Sequence, residues 1–133
     1  MANRRTDLIG QQFGEYLLTY FLGSGSFGDV YLGKQVGDES IVAVKVLQAR
    51  LVSQRDVKSF INEARSIRLL HPNIVRVLDF GIRDDDIPYI VMEYAPNGTL
   101  RQRHLKGTRL DIITIALYTT QIAKALQYAH DRR

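Results

Sequence analysis

A chain of 133 residues with 45% hydrophobic and 24% charged content has the size and composition of one packed globular domain, which excludes disorder throughout. It has no cysteine, which excludes a disulfide or a thiolate metal site and fits a reducing compartment, so a cytoplasmic location is expected. The net charge of +4 would suit a nucleic-acid partner, but the cations are scattered apart from Arg101, Arg103, Lys106 and Arg109. That group reads as a solvated segment, and no nucleic-acid partner is expected.

From the N-terminus, Met1 to Gln12 is polar, carries Arg4 and Arg5, and reads as a flexible segment with no signal peptide. Nowhere does an apolar run approach the roughly 18 residues of a membrane span. A first strand is expected at Tyr16 to Leu22. A second follows where Val30 and Leu32 alternate with Tyr31 and Gly33, and a third is the β-branched run Ile41 to Leu47. Gly37, Asp38, Glu39 and Ser40 supply the turn between the last two. Ser53 with Asp56 resembles a capping box, and Val57, Phe60, Ile61, Ala64, Ile67 and Leu70 follow at the spacing of one helical face. His71 and Pro72 break that helix, Ile74 to Phe80 reads as a fourth strand, and Arg83 to Asp86 turns into a fifth, Tyr89 to Met92. The last segment, Asp111 to His130, is helical by the recurrence of Ile112, Ile115, Ala116, Ile122, Ala123 and Leu126, with Asp111 as N-cap. Ile113, Leu117 and Ala125 lie off that stripe. A helix apolar on more than one side needs cover on more than one side, so self-association through 111–130 is expected.

Gly23-Ser24-Gly25-Ser26-Phe27-Gly28 is a G-x-G-x-x-G, a weak signal alone. A dinucleotide fold needs a helix opening at the third glycine, whereas Asp29 to Leu32 continues as a strand. Gly28 to Lys34 also spells G-x-x-x-x-G-K, but Gln35 stands where a P-loop needs Ser or Thr and no helix follows. Two readings remain for the loop: a hairpin tip whose N–H groups fold over phosphates, or an ordinary β-turn. Val42-Ala43-Val44-Lys45 puts a lysine inside a buried type of strand, where its ammonium needs an anionic partner, and Glu63 on the following helix can supply one.

With the glycine loop ending in Val30, the V-A-V-K, the helix glutamate and His71-Pro72-Asn73-Ile74-Val75 in order, the chain resembles the protein kinase family, specifically its Hanks-type Ser/Thr members. The resemblance implies an α+β fold: an N-lobe of five antiparallel strands with one αC-type helix, then αD- and αE-type helices of an incomplete C-lobe. It spans 13–133, with N-lobe and hinge at 13–95 and the start of the C-lobe at 96–133. It implies that Lys45 contacts the α- and β-phosphates of ATP under the loop from Gly23 through Ser24, Gly25, Ser26 and Phe27 to Gly28, with Glu63 holding the lysine. Glu63 to His71 is one position shorter than in many relatives. Leu22, Val30 and Ala43 are implied to pack on the adenine, Met92 to act as gatekeeper, and the backbone of Glu93 and Ala95 to read the adenine edge. Thr99 stands where many relatives direct an acidic group toward the ribose.

Asp79-Phe80-Gly81 spells the family's metal-binding motif, but it precedes the hinge and reads as a strand end. Asp84, Asp85 and Asp86 read as a solvated hairpin loop and not as a metal site. No H-R-D-x-x-x-x-N occurs, so no catalytic or metal-holding residue is assigned, and Mg2+ is expected only in a complete domain. The function expected is the ATP-binding part of a Ser/Thr protein kinase, truncated before its catalytic loop and inactive alone, with ATP and, in the parent, protein substrates as partners. A non-catalytic kinase-lobe binding or regulatory module is the alternative, and a basic RNA-binding domain a third.

Overall fold

Period-two alternation builds most of the molecule. In the computed structural model, residues 7–48, 53–66 and 68–132 are described. They form strands β1 (Gln12–Phe13), β2 (Tyr16–Gly25), β3 (Gly28–Gln35), β4 (Ile41–Leu47), β5 (Val77–Ile82) and β6 (Pro88–Glu93), and helices α1 (Gln54–Ser66), α2 (Leu100–Arg103) and α3 (Ile112–His130). The strands make one antiparallel sheet in the order β1-β2-β3-β4-β6-β5. This is one strand more than the sequence pattern suggests. The addition, β1, has two residues, too few for alternation to show. Of the expected N-terminal segment, residues 1–6 lie outside the described residues. Residues 7–10 form a turn, after which the Gly10 N–H bonds to the Leu18 carbonyl and the Gln11 carbonyl accepts from the Leu18 N–H, so the chain meets β2 from Gly10 onward.

The chain divides into two compact units: the described residues up to Arg68 with Arg76–Tyr94, and Leu69–Val75 with the residues from Ala95 onward. In the first unit, residues opposite one another on adjacent strands share a face. Tyr31, Val44 and Val91 form one such row, and with Phe13 and Leu18 they are fully buried. Tyr89 meets Phe13 edge-on at 5.5 Å between ring centroids. The Arg83 guanidinium lies 4.1 Å over the Phe13 ring while pairing with Asp85 and donating to Gln11 Oε1. Of the three consecutive aspartates in this hairpin, Asp85 is therefore held by Arg83, and Asp86 takes the left-handed turn position at φ 64.

The start of α1 is a reciprocal cap, with Ser53 Oγ accepting from the Asp56 N–H at 3.1 Å and donating to its carboxylate at 2.6 Å. Ala64 is buried and Phe60 meets Phe80 edge-on, as a helix with one apolar stripe requires. The stripe was expected to run through Ile67 to Leu70. Ile67 lies outside the described residues, and Leu70 is off the helix, in the second unit.

In that second unit the His71 turn docks on α3: the Leu70 N–H donates to the Tyr128 hydroxyl at 3.2 Å, and the His71 and Tyr128 rings lie 5.0 Å apart. Asp111 caps α3 as its sequence position predicts, its carboxylate accepting from the Thr114 N–H at 2.9 Å. No described residue of this unit is buried.

Candidate functional site

The glycine loop is the tip of the β2–β3 hairpin, paired as far as Gly25 with Gly28, so only Ser26 and Phe27 form the loop itself. The three glycines have different reasons to be there. A Cβ on Gly28 would run into the Val46 carbonyl oxygen and come within 3.0 Å of the Leu47 Cα, so this glycine lets β3 lie close against β4. A Cβ on Gly23 would meet nothing within 4 Å, and one on Gly25 only the Gly28 carbonyl oxygen at 3.8 Å. Neither has a positive φ. What these two positions keep clear is the space beyond the sheet, where a bulky ligand group can approach backbone N–H groups.

The sheet's second face, opposite the core, carries the other predicted residues. Val30, Lys45 and Ile90 stand side by side across β3, β4 and β6, and one step along Leu32, Ala43 and Met92 do the same. Lys45 is half-buried on this face between two aliphatic neighbours, and its ammonium lies 5.8 Å from the centroid of the Phe27 ring, a cation–π contact with the loop tip. Phe27 is 76% exposed. Leu22, also exposed, is the extra residue of a bulge between Phe21 and Gly23. Glu63 sits on the exposed side of α1, next to buried Ala64.

At the end of β6, Glu93 pairs with Val42. Its N–H donates to the Arg76 carbonyl at 2.9 Å, and its side chain forms an ion pair with Arg76 at 3.4 Å. Ala95 and Thr99 belong to the second unit. Thr99 is already engaged: its hydroxyl accepts from the Gln102 N–H at 3.2 Å and its own N–H donates to Gln102 Oε1 at 2.8 Å, a closed capping box on α2. The structure thus brings Val30, Ala43, Lys45 and Met92 onto one face beneath the Gly23–Gly28 hairpin. Ile90 and Leu32 belong to the same face and were missed, since only cross-strand register, which no motif carries, sets them beside Lys45 and Ala43.

Asp79-Phe80-Gly81 is interior to β5, as its position before Tyr89 to Met92 suggested. Phe80 packs on α1 through Phe60, and Gly81 leaves room for the Tyr89 ring. Asp79 accepts from the Tyr16 hydroxyl at 3.3 Å. Burial, reinforced by the Asp79 carboxylate, pushes the Tyr16 phenol up to about 12. Asp79 and Gly81, opposite Val91 and Tyr89, lie on the core face, whereas Phe80, opposite Ile90, lies on the Lys45 face. The one carboxylate of the motif is therefore on the face away from Lys45, where a metal ligand for that site could not be.

Residues 16–133 match the profile of the protein kinase domain. The chain is 38% identical over 127 residues to the Ser/Thr protein kinase Pkn1 of Myxococcus xanthus, covering 94% of this chain and 18% of that protein. It is 35% identical over 114 residues to Aurora kinase A-A of Xenopus laevis, covering 84% of this chain and 28% of that one. Among solved structures, the PknI kinase domain of Mycobacterium tuberculosis superposes with a TM-score of 0.78 at 30% identity, over 93% of this chain and 51% of that one. The chain therefore spans about half of that kinase domain and a smaller share of the curated relatives.

Proposed function

The chain belongs to the protein kinase family, and we propose that 13–95 is the N-lobe and hinge, and 96–133 the start of the C-lobe, of a Ser/Thr protein kinase whose ATP lies under the Gly23–Gly28 hairpin. One observation carries this reading: the row Val30–Lys45–Ile90 and the row Leu32–Ala43–Met92 give a single sheet face an aliphatic floor and one cation. An adenine is flat and apolar, a triphosphate is anionic, and this face offers each its complement directly below a glycine tip kept open at Gly23 and Gly25. Lys45 is the residue to meet the α- and β-phosphates, with Glu63 to hold it there and Leu22, Val30 and Ala43 to pack on one side of the base. Met92 limits depth. The Glu93 N–H is taken by Arg76, so the adenine edge falls to the Glu93 carbonyl and the Ala95 backbone. Thr99 stands where many relatives direct an acidic group toward the ribose, and its commitment to a capping box leaves that contact weaker or water-mediated.

Phosphoryl transfer needs a positioned base and metal-held charge stabilisation. This sequence has no H-R-D-x-x-x-x-N, and its one D-F-G string is spent on the sheet. Mg2+ would be held in a complete domain and supply charge neutralisation there. The protein substrates belong to that complete domain as well, and a cytoplasmic setting fits the cysteine-free sequence.

With γ-labelled ATP and a generic protein acceptor, the chain should transfer no label above a Lys45→Met control. By calorimetry it should bind Mg-ATP at about millimolar strength, on the order of −4 kcal/mol, because the sheet face supplies one wall and the metal ligands are missing. Transfer above the control, or a micromolar constant, would overturn the proposal.

A further inference from the structure

The charge of this chain is unevenly placed. Residues 95–133 hold seven of the eighteen Lys and Arg but only two of the fourteen Asp and Glu, so the whole positive excess lies there. Four of those cations, Arg101, Arg103, Lys106 and Arg109, are exposed and fall within a stretch, 95–110, that contains no carboxylate. The sequence reading leaves them as a solvated face. The same stretch, 100–110, supplies most of the lining of a concavity of about 270 Å³ within the second unit, with Arg103, Lys106 and Arg109 each next in sequence to a residue that lines it. Its apolar lining comes from Leu100, Leu105 and Leu110, and one wall is His104 against Tyr118, joined by a 2.8 Å hydrogen bond between His104 Nε2 and the Tyr118 hydroxyl. Arg101 lines the same pocket.

We propose that this pocket is a docking site for an acidic peptide segment of another protein, which inserts one aliphatic side chain between Leu100, Leu105 and Leu110 while its carboxylates meet Arg101, Arg103, Lys106 and Arg109. The volume is below the range of drug-sized ligand sites and suits a single leucine-sized side chain. Leu105, 73% exposed, and Leu100, 49% exposed, lose solvent contact when such a side chain enters. Arg101 lines the pocket and the other three cations are exposed within the same short stretch, and exposed charge sets partner choice and encounter rate more than affinity. Nucleic acid fits less well. A single strand would need exposed aromatic faces to stack on, and the aromatic of this pocket, Tyr118, is only partly exposed and is turned edge-on to His104.

The test uses the full chain and a fluorescein-labelled peptide of Glu and Asp with two central Leu, followed by fluorescence polarisation. Binding is expected, weakening as salt is raised. Arg101→Glu with Arg103→Glu should weaken it by about tenfold, while Lys34→Glu in the first unit should leave it unchanged. Replacing both leucines of the peptide by serine should also abolish most of the binding, and amide shifts on titration should centre on Leu105, Gly107 and Thr108. Equal binding by the leucine-free peptide, equal loss with Lys34→Glu, or displacement of the peptide by a lower concentration of oligouridylate of the same length would each overturn the proposal.

Discussion

The two units of this molecule solve the burial problem to different degrees. In the sheet unit, Phe13, Leu18, Tyr31, Val44 and Val91 have no accessible surface beyond 0%, and Arg83 closes the edge of that core. In the helical unit, α3 carries Ile112 at 78%, Ile113 at 70% and Leu117 at 57% exposure, and none of its residues is buried. A curled antiparallel sheet can cover one of its faces with its own strands, whereas a helix apolar on several sides depends on other elements to cover it. The stability of the chain is thereby concentrated in the unit that bears the proposed nucleotide face.

The sharpest way to break this contrast is to truncate one side chain in each unit. At protein concentrations low enough to keep the chain monomeric, Phe13→Ala should cost about 3–5 kcal/mol, while Ile113→Ala should stay within about 0.5 kcal/mol, read as urea midpoints at constant slope. Similar losses would mean that α3 contributes to a core after all. The exposed helix also predicts self-association, since each apolar side chain left in water forgoes about 1.5–3 kcal/mol of burial. On size-exclusion chromatography the full chain should elute as dimer or larger, and truncation near Gly107 should return a monomer; a monomeric full chain would remove this half of the contrast.

Within the sheet unit, Gly28→Ala should lower stability by about 1–3 kcal/mol because the new methyl meets β4 backbone. Gly23→Ala should leave the midpoint unchanged while weakening ATP binding, and equal destabilisation by both would refute the division of labour within the loop. The smallest effect concerns pH. The Tyr16 phenol is raised from 10.0 to about 12 in the fold, so the unfolded chain loses that proton first. The contribution of this group to stability is then constant below pH 10 and is lost as pH rises from 10 toward 12. Tyr16→Phe should flatten part of that decline, and an unchanged slope would show that the group does not contribute.

How much of this was legible in the sequence depended on the length and locality of each signal. Ile41–Leu47 is a strand with the ends its β-branched run suggested, and Ser53 and Asp111 cap their helices because a cap is a contact between residues three apart. The two-residue β1 was invisible, and so was the insertion of β6 between β4 and β5, since strand order is set by which faces must be buried together. The end of α1 was placed too late because Leu70 continues the apolar spacing but is used against Tyr128. At the site, glycines and Lys45 were readable as a motif, yet Ile90 and Leu32 join them only through register. The string Asp79-Phe80-Gly81 shows the converse: its letters fit a metal site, and its position in β5 turns them to Tyr16, Phe60 and Tyr89.

The central claim is that nucleotide is held by the sheet unit, and the most direct test is a titration of the isotope-labelled chain with ATP followed through its amide resonances. The account predicts saturable shifts at Gly23, Gly25, Val30, Lys45, Met92 and Glu93, absent in Lys45→Met, with residues 101–109 unmoved by ATP at fixed ionic strength. Shifts centred on Arg101 to Arg109, or an unchanged response in Lys45→Met, would contradict it.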